Sequence, residues 1–234
     1  MFNNPRLRRR AALALGLIAG CAGATSSPLF STVQPLSNAA ARGLAGKVLS
    51  GVQYPPVHLS AMTSSNMLTW GSIGGVIAGS KEGRNIERDN NLEDPQEELA
   101  ARLRQRFARD RRMRTARDPA LAEESTGADV AALATRHPDA DYLLDVQLLG
   151  ESLYYYPLDW NRYYLQFIAS VRLIEVSSKS AIAEGSCQVK QESDPHPTKE
   201  QLLADNAALL KRLQTEALQN CENYLAAQIL GLEP

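Results

Sequence analysis

The chain has 234 residues, of which 44% are hydrophobic, with 25 basic and 26 acidic side chains and a formal net charge of −1. That length is enough for one domain with a real core, and no repeat of about 20–50 residues is visible, which excludes a repeat array. His58, His137 and His196 are scattered. None lies at ligand spacing from a cysteine or another histidine, so a metal site is not expected.

The first ten residues, MFNNPRLRRR, carry Arg6, Arg8, Arg9 and Arg10, and the apolar run AALALGLIAG follows. A run this short cannot cross a hydrocarbon core of about 30 Å as a helix. A basic front, a short apolar stretch and small residues at its end fit a removable export signal. Leu17-Ile18-Ala19-Gly20-Cys21 then resembles the lipobox of bacterial lipoproteins. That resemblance implies cleavage before Cys21, a diacylglycerol on its thiol and an acyl chain such as palmitate on the new amine. Ala22, in place of an aspartate, implies the outer membrane. The expected division is a signal peptide over residues 1–20, a lipidated cysteine and flexible tether over 21–45, and a periplasmic domain over 46–234. Loss of residues 1–20 leaves 21 basic against 26 acidic residues, net −5. Nucleotides and nucleic acids are not expected partners of such a protein, and no cofactor besides the covalent lipid is expected.

In the domain, GKVLSGVQYPPVHLS mixes β-branched and aromatic residues with Pro55-Pro56 and reads as a strand with an irregular end. LEDPQEELAARLRQRFARD is a helix, with Asp94 as N-cap, Pro95 first, Glu97 as in a capping box, and Leu99, Leu103 and Phe107 on one face. TGADVAALATRHPD is a shorter helix stopped by Pro138. ADYLLDVQLLG alternates, with Leu144, Val146 and Leu148 inward and Asp145 and Gln147 outward, a half-buried strand. RYYLQFIASVRLIEV and AIAEGSCQVKQE are two more strands, joined by SSKS. A long helix follows from about Lys199 to Leu230, capped by Thr198 with Gln201 and ended by Gly231. Its buried stripe is Leu203, Leu210, Ala217 and Tyr224, supported by Leu213 and Cys221. The expected fold is an α/β sandwich, one sheet of about four strands with helices on a face.

If Cys21 is lipidated, Cys187 and Cys221 remain. In an oxidising compartment such a pair usually joins, stabilising by about 3–4 kcal/mol; two buried free thiols are the alternative. The link would staple a strand to the helix covering it.

Four stretches raise chemistry. GSIGGVIAGSKEGRN, from Gly71, has Ser before Lys and one residue too few for a P-loop, and its glycines do not fit a dinucleotide fingerprint. Gly71, Gly75 and Gly79 instead recur every four residues, which suits close backbone packing within the domain, self-association or membrane contact. No serine-hydrolase, zinc-protease or clustered Cys/His motif is present, Glu97-Glu98 and Glu123-Glu124 sit at solvated helix ends, and an enzyme is not expected. The run ARLRQRFARDRRMRTAR is expected to face water, offset by nearby acids, with anionic lipid or an acidic partner as the alternative. LYYYPLDWNRYY gathers Tyr154, Tyr155, Tyr156, Trp160, Tyr163 and Tyr164 at a hairpin end. These rings suit cross-strand packing, a partner-binding patch or sugar stacking.

The strands ADYLLDVQL, VRLIEV and AIAEGSC, the earlier helix DPQEELAARL and the long last helix are together similar to a group of Gram-negative envelope lipoproteins. That group shares the α/β core of the curli-secretion lipoprotein, the LpoB-type synthase activators and the N-terminal domain of TolB. The resemblance implies that fold and an envelope location. The function expected from it is a non-enzymatic, lipid-anchored protein that binds or assembles an envelope complex and is a candidate homo-oligomer; the alternative is a peptidoglycan-binding or glycan-processing module.

Overall fold

In the computed structural model, residues 33–116 and 129–232 are described, with the backbone alone over 64–75. The signal, Cys21, Arg117 and Glu123-Glu124 therefore lie outside the described residues. Two long strands, β4 (Tyr142–Tyr156) and β5 (Asp159–Glu175), form one antiparallel hairpin closed by Pro157 and Leu158, with Tyr156 opposite Asp159. Strand β6 (Ser180–Gln191) continues the sheet antiparallel to β5. On its other edge β4 is shared by two short parallel strands. β1 (Val48–Val52) pairs with Tyr142 to Asp145, and β2 (Ser60–Met62) pairs with Ser152 to Tyr154. β3 (Arg114–Thr115) lies outside β1. The sheet thus has six strands, not four. β2 and β3 are three and two residues long, too short to carry an alternation pattern.

Side chains on β5 alternate strictly: Tyr163, Leu165, Phe167, Ala169, Val171 and Leu173 all enter the main core. On β4, Leu144, Val146 and Leu148 share that face; an irregularity between Leu148 and Gly150 resets the register so that Leu153 shares it too. Helices α2 (Ser64–Asn90), α3 (Pro95–Asp110) and α5 (Lys199–Tyr224) contribute Ile86, Leu99, Leu103, Phe107, Leu210 and Leu213 to this core. The opposite face is not the solvated one expected. Asp145 and Gln147 are 1% and 3% exposed, because Tyr54 bonds to both beside helix α4 (Val130–Arg136). Leu133 and Ala134 of α4 pack with Val52, Leu143 and Ile174 in a second cluster. Asp145 accepts from Arg172 Nε at 2.6 Å and from Tyr54 Oη at 2.7 Å.

Between Val52 and Ser60, the β4 edge lacks a strand partner. The buried Gln96 side chain fills this gap, its Oε1 accepting from Leu148 N at 2.8 Å and its Nε2 donating to Tyr54 O at 3.4 Å. An apolar side chain at position 96 would leave the Leu148 N–H unsatisfied, at a cost of about 1–3 kcal/mol. Asp94 caps α3 through Gln96 N rather than through the Glu97 position.

Several arginines of the basic run have partners within the chain. Arg106 Nε donates to Glu222 Oε1 at 2.6 Å, Arg102 reaches Glu98 and Glu222, Arg111 donates to Gly231 O and Arg114 Nε to Gly46 O at 3.0 Å. These bonds lock α3 to α5 and tie Gly231 and Gly46 to the segment that follows α3.

The last helix departs from a regular one. Asp205, Asn206 and Ala207 have φ of 52°, 57° and 55°, a left-handed turn. Leu225–Ile229 is a π-helical turn. These two breaks shift the helical phase. Leu202, not Leu203, is fully buried at the start, and Tyr224 is exposed at the end. The middle of the stripe, Leu210, Leu213, Ala217 and Cys221, is buried as expected, and Cys221 is bonded to Cys187 of β6 with Cα atoms 5.5 Å apart.

The composition-based tether ends earlier than residue 45. Gln34 bridges Glu184 of β6, Leu36 N donates to Ile229 O at 2.7 Å, α1 (Asn38–Arg42) follows, and Leu44 is fully buried. Most apolar residues there are alanines, and Leu36 and Leu44 supply the buried anchors.

The stretch from Gly71 is interior to α2, so it is a helix and not a loop. Gly79 packs against β2, where a Cβ would come within 2.9 Å of Ala61 O. At Gly83 a Cβ would overlap Leu59 O. Gly71 and Gly75 lie in the part of α2 whose side-chain surroundings are outside the description. Glycine to alanine in a helix normally stabilises by about 0.5–1 kcal/mol. Gly83→Ala should do the reverse and destabilise by at least about 2 kcal/mol, because backbone must move. Urea unfolding of Gly83→Ala against the native chain checks this, and equal or higher stability would contradict the helix–strand contact.

Candidate functional site

Beyond α4, the second face of the β4–β5–β6 sheet carries a cluster of rings. Strand parity sorts the six expected aromatics into two sets. Tyr163 is buried in the main core and Tyr155 packs against that core. Tyr154, Tyr156 and Tyr164 point to the opposite face. Tyr154 and Tyr164 are cross-strand partners stacked at 5.9 Å, and Tyr156 meets Tyr164 at 5.1 Å. Trp160 stands at the turn, half exposed, with Nε1 donating to Pro157 O at 2.6 Å.

Residues the sequence did not single out complete the cluster. Lys190 Nζ of β6 sits 4.5 Å from the Tyr164 ring centre and 4.9 Å from that of Tyr156. It also pairs with Glu192 Oε1 at 2.6 Å. His196 stacks on Tyr156 at 4.3 Å, and its Nδ1 lies 3.0 Å from Ser193 O, to which it donates. The Tyr156 hydroxyl donates to Glu192. Burial first, and then that carboxylate, push the Tyr156 hydroxyl well above the usual phenol range. The Lys190 ammonium and the Tyr156 hydroxyl hold Glu192 below the usual carboxylate range. The segment carrying His196 is fastened to β5 by Tyr163 N donating to Pro197 O at 2.9 Å and by Arg162 Nη1 donating to His196 O at 2.8 Å. The result is a ring-lined, half-buried surface with one cation over two ring faces, an arrangement suited to flat or apolar groups flanked by hydrogen-bond acceptors.

The other histidines are elsewhere. His58 pairs with Glu87 at 2.8 Å, and buried His137 closes α4. Among the described residues no three His, Cys, Asp or Glu side chains gather to hold a metal. None of the described helices is long and apolar enough to cross a membrane.

One buried carboxyl stands apart from the cluster. Glu151, on the core side of β4, is 3% exposed and accepts from Gln214 Nε2 of α5 at 3.3 Å. Burial, reinforced by the Glu87 charge, pushes its carboxyl up to about 8.

No protein-family model matches the chain, and no curated protein matches it in sequence. Solved structures with a similar arrangement include protein XCC0632 from Xanthomonas campestris, at 11% identity and TM-score 0.40, covering 83% of this chain and 91% of that one. The LpoB C-terminal domain from Salmonella enterica is similar at 15% identity and TM-score 0.30, covering 63% and 84%. Lipoprotein GNA1162 from Neisseria meningitidis is similar at 12% identity and TM-score 0.27, covering 74% and 96%.

In an unfolded chain a glutamate titrates near about 4.3, so between that pH and about 8 the folded chain holds a proton on Glu151 that the unfolded chain releases. Its contribution is full below about 4.3 and is lost as pH rises towards 8, by up to about 1.4 kcal/mol per pH unit. Glu151→Gln should therefore be more stable than the native chain at pH 8 and flatten the pH dependence above pH 5. Denaturant titrations across that range test this, and parallel profiles would contradict it.

Proposed function

We propose that the chain is a non-enzymatic, lipid-anchored envelope protein that binds a protein partner through the open aromatic face of its hairpin. Cys21 carries the anchor in this reading, on the periplasmic side of the outer membrane. The observation that carries the binding role is the Tyr154, Tyr156, Tyr164, Lys190 and His196 cluster, which no described helix covers. Tyrosines on a fixed strand scaffold are among the side chains that dominate interface energetics, since they bury much area at little rotamer cost. The core face of the same sheet is filled, so binding falls to this one.

Tyr156→Ala with Tyr164→Ala should cut recovery of crosslinked envelope proteins about tenfold or more, the scale of one or two interface anchors. Core-facing Tyr163→Ala should instead lower the melting temperature. Undiminished recovery by the double variant would overturn the assignment, and saturable retention on purified peptidoglycan, lost in the double variant, would favour the glycan-binding alternative. Cys21→Ser should leave the protein unprocessed or released from membranes; continued membrane fractionation would overturn the anchor.

A further inference from the structure

The end of the sheet at Pro157 and Leu158 collects exposed apolar side chains. Leu158 and Trp160, at the turn, are 101% and 52% exposed. Val76 and Ile77 of α2 are 50% and 69% exposed. They lie within one helical turn of Gly79, which approaches Ala61 and Met62, and Met62 pairs with Tyr154 near the end of β4. Four of the six exposed large hydrophobic residues among the described residues thus stand at one end of the molecule. Single exposed apolar residues are ordinary; a gathered set marks a surface that meets something.

The charges there balance in pairs, Arg162 with Asp159 at 3.9 Å and Lys190 with Glu192 at 2.6 Å. Attraction at this end comes from the apolar side chains, not from a net field. The indole N–H of Trp160 is already bonded within the turn, so the ring can enter an apolar boundary without stranding a donor.

The direction of the chain selects the occupant. Gln34 bridges Glu184 antiparallel to β6, and β6 runs towards the hairpin tip, so Val33, the first described residue, lies on the tip side of Gln34. Glu184 pairs with Arg172, and from Arg172 to Asp159 the strand covers about 44 Å at 3.4 Å per residue. The contour from Cys21 to Val33 is at most about 43 Å. The two lengths match, so an anchor at Cys21 can reach the plane of the tip.

We infer that Leu158 and Trp160, flanked by Val76 and Ile77, rest on the lipid surface that holds the anchor, with the tip at the headgroup–acyl boundary. This placement rests on the lipidation of Cys21 proposed above. Trp160 suits that depth, with an apolar ring and a satisfied polar edge. The aromatic face then stands upright beside the membrane, open to a partner.

The test uses the lipidated chain as cells export it, reconstituted in phosphatidylethanolamine–phosphatidylglycerol vesicles. Trp70→Phe leaves Trp160 as the single tryptophan. Lipids brominated along the acyl chain should lower Trp160 emission about twofold, as for a ring in the interfacial belt. Adding Leu158→Asp and Ile77→Asp should abolish that quenching while the protein still floats with the vesicles and keeps its melting temperature, since both sites are exposed. An unquenched Trp160 in protein that floats overturns the inference, as does quenching indifferent to the two aspartates. Shielding of Trp160 from a water-soluble quencher without bromolipid quenching assigns the tip to a second copy or another protein and overturns it as well. Failure to float at all overturns the anchor, and the placement with it.

Discussion

Everything in this molecule is hung on β4. It is paired along both edges, is flanked by helices on both faces over its first half, and is the one strand that touches β1, β2 and β5. Its left edge passes from one short parallel strand to another, and the gap between them would expose a row of backbone groups. Gln96 fills that gap with a side chain, which also fixes the start of α3 against the sheet. Parallel pairing from two short strands is weak, so a polar bridge at the handover holds the two halves of the edge in one register.

The same strand explains where the candidate site lies. Over its first half, α4 and Tyr54 cover the second face, and the polar groups there are joined in the Asp145–Arg172–Tyr54 network. Past the irregularity near Leu148 the helical cover ends but the hairpin continues. Side chains on the core side remain buried because α2 and α5 extend further, while those on the other side come to the surface. The two faces become unlike in cover and in residue type, with Leu153, Leu165 and Phe167 on the core side and Ser152, Gln166 and Lys190 on the other, while tyrosine occupies both.

The main elements were legible in the sequence because each carried a strong local signal. Asp94-Pro95 starts α3, Thr198 with Gln201 starts α5, and the alternation on β5 places its core residues. What escaped had no such signal. β2 and β3 span at most one and a half periods of strand alternation, too little to register as a pattern. Asp145 and Gln147 read as solvent-facing because alternation reports one covered face and cannot report a second cover built from Tyr54, distant in the chain, beside α4. The glycine recurrence pointed to close packing, and the strongest case is Gly83, the next position in the four-residue series, where the reading stopped at Gly79. In the site, the aromatic run was visible while its sorting was not: strand register decides that Tyr163 is core and Tyr164 is surface. Lys190, Glu192 and His196 arrive from a separate strand and its following loop, and no spacing rule links them to the tyrosines.

The disulfide bears on how the aromatic face is held together. Lys190, Glu192 and His196 all lie between Cys187 and Cys221, inside the ring of chain that the bond closes. Half of the surface is therefore carried on a covalent loop, and the other half on the hairpin. While both thiols are reduced, that loop is held to the sheet only by noncovalent contacts. Once they are joined, the freedom to peel away is removed. Under the proposed binding role, the bond ties the loop that carries half of the surface to α5 and limits how far that loop can stray from the tyrosines.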